Sequence, residues 1–315
     1  MLNRRFLRIK VYQALYAHAQ SAGGSAAKNE KELLLGVERT YDLFIHVMML
    51  FGEMRRLAEE RLEERKAKRM PTGDDLAPSR RFVDNPFLVK LSESKLLLQE
   101  SEKRKTGWVG DRDLLMQLQR VILASDEYAA YIVAPRTTPA IDRAVILDLF
   151  VEHIAQFESL HEHVEAKSIH WLEDLDLACS MVKRVIETMK IEDPDLMLME
   201  PGSEAIEERA FVTTLYRDTI AHQEADEKII AERASNWEAD RIALSDMLLM
   251  RMALTEARSF DLIPVKVTLN EYIEVAKAYS TPKSKNFING ILDKLFAEMK
   301  DSGAIHKVGR GLLES

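Results

Sequence analysis

The sequence predicts an all-α protein. Through most of the chain, apolar residues recur three and four apart, the spacing of one helix face. Helix breakers are scarce, with 12 Gly and 9 Pro in 315 residues, and many fall between the periodic segments. Hydrophobic residues make up 46% and charged residues 30%, which suits an ordered helical chain. No apolar run approaches the roughly eighteen residues of a membrane span. The single cysteine, Cys179, excludes an internal disulfide or a multi-thiolate metal site and suits a reducing cytoplasm. The net charge of −8 is unevenly spread. Residues 1–29 hold Arg4, Arg5, Arg8, Lys10 and Lys28 with no acid, so the remainder carries 39 basic and 52 acidic side chains, a net of −13. A basic arm on an acidic body points to a localised polyanion contact.

Taken in order, residues 3–20 form an amphipathic helix with Leu7, Val11, Ala14, Leu15 and His18 inward. Arg4, Arg8, Tyr12 and Tyr16 recur four apart and share another face. Basic and aromatic side chains together suit phosphate contact with base stacking. An organelle transit peptide or an ordinary solvated helix would share that composition. Residues 21–29 read as a turn and 31–68 as one long helix, its second half a solvated run of charges. Prolines break the chain between 70 and 86. Helices resume over 87–103 and 111–133 and stop at Pro135 and Pro139.

Residues 142–189 then repeat as 208–255, with a shift of 66 and no gap. Arg143, Ala144, Leu149, Trp171, Asp174 and Met181 fall on Arg209, Ala210, Leu215, Trp237, Asp240 and Met247. Each copy reads as a helix, a break before Trp and a more apolar helix, which favours a partial duplication. Ser235 and Glu238 form a capping box in the second copy. The helix over 237–257 is apolar nearly all round and should run through a core, with Asp246 and Arg251 either paired inside it or presented at its rim.

Near the C-terminus, Thr268 and Glu271 read as a capping box that starts a helix at Leu269. Thr281 and Pro282 read as N-cap and first residue of the last helix. Lys283, Ser284, Lys285, Asn286 and Asn289 crowd its first two turns, where free N–H groups favour an anion. Gly290 interrupts that helix at a cost of about 1 kcal/mol, which suggests close approach by a helix or a ligand. The tail, 304–315, lacks helical period and reads as flexible. No phosphate loop, H-E-x-x-H pair or acid/base couple marks a catalytic centre. His161 and His163 point about 200° apart on a helix, which argues against a shared metal ion. The chain is therefore expected to be no enzyme and to need no cofactor or metal.

The residues IP-x-K-V-x-x-N-E-x-I-E-x-A-K followed by S-x-x-F-I-N-G-I-L-D over 263–293, with RR-x-x-R-x-x-x-x-Q-A-L-Y at the N-terminus, resemble the NusB family of transcription antitermination factors. The resemblance covers about residues 1–20 and 205–303. It implies a NusB-like helical bundle and a cytoplasmic protein that binds boxA-type RNA of nascent ribosomal transcripts. The implied partners are the ribosomal protein NusE and the RNA polymerase antitermination complex. It places RNA contacts at Arg4, Arg5, Arg8, Lys283, Lys285, Phe287 and Asn289, and the NusE contact at Tyr16 and Asp246. Phe287 also sits on the apolar face, where a core role is the competing reading. The expected organisation is a basic helix over 1–20, an extra helical region over 30–200 containing the repeat copy 142–189, and a bundle over 205–303. Two alternatives are a helical interaction scaffold without RNA binding and a domain of a ribosomal RNA methyltransferase. The latter would need a methyl-donor domain and a catalytic cysteine motif.

Overall fold

The computed structural model describes residues 4–21, 24–198, 203–234 and 242–312. Among them there is no strand, and no helix is long and apolar enough to cross a membrane. In chain order the helices are α1 (Arg4–Gln20), α2 (Ala26–Met48), α3 (Leu50–Lys66), α4 (Gly73–Leu76), α5 (Pro86–Glu93) and α6 (Lys95–Arg104). They continue as α7 (Arg112–Ala124), α8 (Asp126–Val133), α9 (Pro139–Asp148), α10 (Glu158–Lys167) and α11 (Leu175–Thr188). The last are α12 (Ser203–Ala221), α13 (Gln223–Arg233), α14 (Leu244–Ser259), α15 (Val265–Tyr279) and α16 (Ser284–Asp301). Two compact units result: unit 1 joins Met1–Val37 to Glu200–Ser315, and unit 2 is Glu38–Met199. The division falls inside α2.

Within unit 2, α3 packs on α5 and α7. Leu50, Phe51, Met54 and Leu57 bury against Phe87, Leu88 and Leu91, and the Phe51 and Phe150 rings meet at 5.7 Å. Small polar caps cut the helices more finely than the prolines suggest. Ser94 accepts from the Leu97 N–H and separates α5 from α6, and Ser125 accepts from the Tyr128 N–H and separates α7 from α8. Asn85 accepts from the Phe87 and Leu88 N–H groups, with Pro86 at the first position of α5. The expected single helix over 31–68 is nearly continuous. Only Met49 interrupts it, and its N–H still bonds to the Ile45 carbonyl at 3.0 Å.

The 66-residue offset carries α9 and the π turn Leu149–Ile154 onto α12, α10 onto α13, and α11 onto α14. Leu149, Phe150, Val164 and Val182 are buried in the first copy, and Leu215, Tyr216, Ile230 and Leu248 in the second. The helix order therefore recurs along with the residues. Ser235, Trp237 and Glu238 lie outside the described residues.

Unit 1 is organised around α14. It packs against α12, α13, α15, α16 and α1, and every residue from Leu248 to Ala257 is buried. Such a helix needs an apolar surface on all sides, and its buried polar groups must find partners inside. Arg251 does so through its two terminal nitrogens, which donate to the Thr219 carbonyl at 3.0 Å, to Gln223 at 3.2 Å and to Glu227 at 3.0 Å. Of the two readings open for it, internal pairing holds.

Three local expectations are corrected. Helix α15 begins at Val265 after Pro264, four residues before Leu269, and the Thr268 hydroxyl donates to Glu256 instead of capping. Helix α16 begins at Ser284, with residues 281–283 forming a turn before it. The described part of the tail is held down. Ile305 is buried, the Val308 N–H donates to the Asp261 carbonyl at 3.1 Å, and Lys307 donates to the Phe260 carbonyl at 2.9 Å.

Candidate functional site

The candidate site runs along α1. A helix rises about 1.5 Å per residue, so Arg4 and Tyr16 stand roughly 18 Å apart. At its first end Arg4 is exposed, with its guanidinium 5.0 Å from the Phe211 ring centre. Arg5 makes a two-pronged pair with Glu271, at 2.9 and 2.8 Å. That hydrogen bond outweighs partial burial and raises the Arg5 pKa.

Arg8 lies elsewhere than the resemblance implies. It is 2% exposed and makes two 2.7 Å bonds to the fully buried Glu256. Thr268 and the Tyr272 hydroxyl also donate to Glu256, at 2.9 and 3.1 Å. Burial by itself would lower the Arg8 pKa, but hydrogen bonding and charge from Glu256 hold it above the ordinary arginine value. Burial drives the Tyr272 hydroxyl well up. Arg8 is therefore closed off from phosphate, because Glu256 of α14 holds it under the bundle even though its spacing puts it on the face of Arg4. Tyr12, on the same expected face, is also buried and donates to Ser245 at 2.9 Å.

The second end gathers what the sequence leaves scattered. Tyr16 is 37% exposed, and its ring lies 6.1 Å from Tyr12. Tyr12 in turn lies 5.3 Å from Tyr279, the last residue of α15. The next residue, Ser280, donates to Asp246, and Ser284 donates to the other Asp246 oxygen at 2.9 Å. Asp246 is 6% exposed, so it ties α14 to the start of α16 rather than standing ready for a partner. It also sets a carboxylate against the first turn of α16, the charge that a helix N-terminus favours. The expected anion position is thus answered from within, and the cations beside it are Lys283 and Lys285, both exposed. Phe287 and Asn289 are half-buried. Gly290 is exposed, and a Cβ built there would meet nothing within 4 Å, so no helix among the described residues explains it.

The structure therefore links Tyr16, through Tyr12 and Tyr279, to the turn before α16 and leaves Arg4 and Arg5 at the far end of α1. Sequence reasoning missed Tyr279, Ser280, Glu256 and Glu271. Of these, the ion-pair partners carried a usable signal in the acids at 256 and 271 on the apolar faces of α14 and α15. Among the described residues no group of histidine, cysteine and acidic side chains could hold a metal ion.

Residues 173–297 match the family model described as the NusB family. That span takes in α11 and the second repeat copy, but not residues 1–20. The transcription antitermination protein NusB of Salinibacter ruber is 45% identical over 105 residues, 33% of this chain and 66% of that protein. The protein of the same name from Chloroherpeton thalassium is 43% identical over 109 residues, 35% of this chain and 52% of that protein. The one from Geobacter sulfurreducens is 39% identical over 104 residues, 33% of this chain and 74% of that protein. The chain thus spans just under two thirds of the first relative and about half of the second. No solved structure matches significantly.

Proposed function

From the premise that the chain belongs to the NusB family, we propose that it is a non-enzymatic, RNA-binding transcription antitermination factor. It binds boxA-type RNA of nascent ribosomal transcripts together with NusE, as part of an RNA polymerase antitermination complex. The observation that carries this reading is the row of rings Tyr16, Tyr12 and Tyr279, which leads from the half-exposed Tyr16 to the turn before α16, where Lys283 and Lys285 are exposed. Exposed cations contact phosphate, and a half-exposed aromatic offers a base or a protein side chain a surface. Arg4 and Arg5 extend the cationic track along α1. Phe287 and Asn289 complete the surface on α16. Tyr16 serves the NusE contact directly. Asp246 supports that contact from inside by holding α16 in place, and Arg8 does the same for α1.

Fluorescence anisotropy with a short boxA-type RNA, with and without NusE, at two salt concentrations tests the reading. Binding should tighten when NusE is added. Lys283→Ala with Lys285→Ala should weaken RNA binding and flatten its salt dependence by about 0.7 per lost phosphate contact on a single strand. Unchanged affinity and slope would favour the interaction scaffold instead.

A further inference from the structure

One cation of the proposed RNA track already holds an acid. Arg5 and Arg8 lie three apart on α1, so both reach the same neighbouring helix, α15. Glu271 of α15 takes the outer of the two. Its Oε2 accepts from Arg5 Nε at 2.9 Å and its Oε1 from Arg5 Nη2 at 2.8 Å. Two parallel bonds to one edge of a guanidinium are also how a phosphate binds arginine. Glu271 therefore covers the edge of Arg5 that a phosphate would take.

This pair is not what fixes α1 to the bundle. The Arg5 side chain is 43% exposed and that of Glu271 21%, and pairs this open to water add little stability. The anchor lies beneath, where Arg8 and Glu256 are buried together. Glu271 also lies 3.5 Å from Arg8 Nη1. When Arg5 swings outward, the carboxylate therefore keeps a cation beside it and is not stranded. Glu274, one turn on, adds its negative field at Arg5. The charge of Arg5 is thus masked in the unbound protein, although the side chain stands where a strand can reach it.

We propose that Glu271 is an internal stand-in for an RNA phosphate, a gate that holds Arg5 until a backbone phosphate of the bound strand displaces it. The gate rests on the RNA-binding reading above and adds regulation to that surface. A strand that meets Arg5 alone must break an existing pair to gain one of the same kind. A strand already held by Lys283 and Lys285 presents its phosphates at high local concentration, and the exchange then goes forward. Glu271 in this way favours strands long enough to touch both α16 and the start of α1.

Anisotropy with boxA-type RNA on four proteins tests the gate: the parent, Glu271→Gln, Arg5→Ala and the double variant. Arg8 keeps its two bonds to Glu256 in all four, so circular dichroism should not change. Glu271→Gln should bind about threefold tighter or more at low salt, with a salt dependence steeper by about 0.7 for the added phosphate contact. In the Arg5→Ala background the same change should alter neither quantity. Glu271→Asp keeps the charge near Arg8 but draws it back from Arg5 by one methylene, so it should also bind tighter and serves if the Gln variant folds poorly. Equal or weaker binding by the Glu271 variants would overturn the gate and leave the RNA reading standing. An equal gain without Arg5 would overturn it too, since mere removal of a repelling charge would then suffice. If the parent binds no RNA, a gain in Glu271→Gln still supports the gate, and no gain overturns both proposals.

Discussion

Arg8 in unit 1 and His46 in unit 2 are both withdrawn from water, and their surroundings treat them in opposite ways. Arg8 meets Glu256 through two short bonds, and Thr268 and Tyr272 complete the shell around that carboxylate. His46 is fully buried, stacked 4.0 Å from Trp108 and 5.2 Å from Trp171, and neither ring nitrogen has a hydrogen-bond partner among the described residues. Burial pushes its pKa down to about 3, helped by Lys167 and His163 and opposed by Asp111. A strong base can stay charged inside a protein only when an acid is locked beside it. An imidazole can shed its proton and be packed as an aromatic plate. The first centre is fragile to mutation and the second to acid.

The largest expected effect breaks the first centre. Glu256→Gln keeps the shape but leaves the Arg8 charge without its anion, and unit 1 should lose about 3–5 kcal/mol in urea unfolding. A loss under about 1 kcal/mol would mean that water reaches the pair.

The second prediction concerns acid. The folded His46 pKa lies below the unfolded value of about 6.5, so the unfolded chain binds the extra proton in between. Stability is therefore complete above about pH 6.5 and falls as pH drops towards about 3. Between pH 7 and pH 5 the native chain should lose about 2 kcal/mol more than His46→Phe, which keeps the plate and removes the proton site. Tryptophan fluorescence follows the transition, since Trp108 and Trp171 flank the ring. Identical acid profiles would show that His46 is not the sensor.

The smallest effect sharpens the comparison at the surface. Gly290→Ala has room for its methyl group and should stabilise α16 by up to about 1 kcal/mol in thermal unfolding. The same substitution should weaken boxA RNA binding if the strand passes over that backbone. An unchanged affinity would move the strand towards Lys283 and Lys285 alone.

Much of the fold was legible because helical period survives in one dimension. The helices α1, α15 and α16 stand where their apolar spacing put them, within a few residues. The breaks at Ser94 and Ser125 were harder to read. A capping serine is one short polar residue inside an otherwise periodic run, and prolines elsewhere were the louder signal. The site was less legible than the fold. Arg4 and Arg8 share a face by spacing, yet Arg8 turns inward because Glu256, 248 positions away in sequence, waits beneath it. Asp246 read equally well as an internal or a rim acid, and only the approach of Ser280 and Ser284 decides between the two. Spacing places a residue on its own helix, and partners brought in by tertiary packing decide what it does.

The same separation of Arg8 from Glu256 sets a timetable during synthesis. At about 5–20 residues per second, α1 leaves the ribosome on the order of ten to fifty seconds before the helices that cover it exist. In that interval Leu7, Val11 and Leu15, later buried in unit 1, have none of the α12–α16 surface to pack against. Unit 2 is complete first and folds while α1 is still unclaimed. A helix made before unit 2 is thus settled only after it, once α12, α14 and α15 exist to cover it.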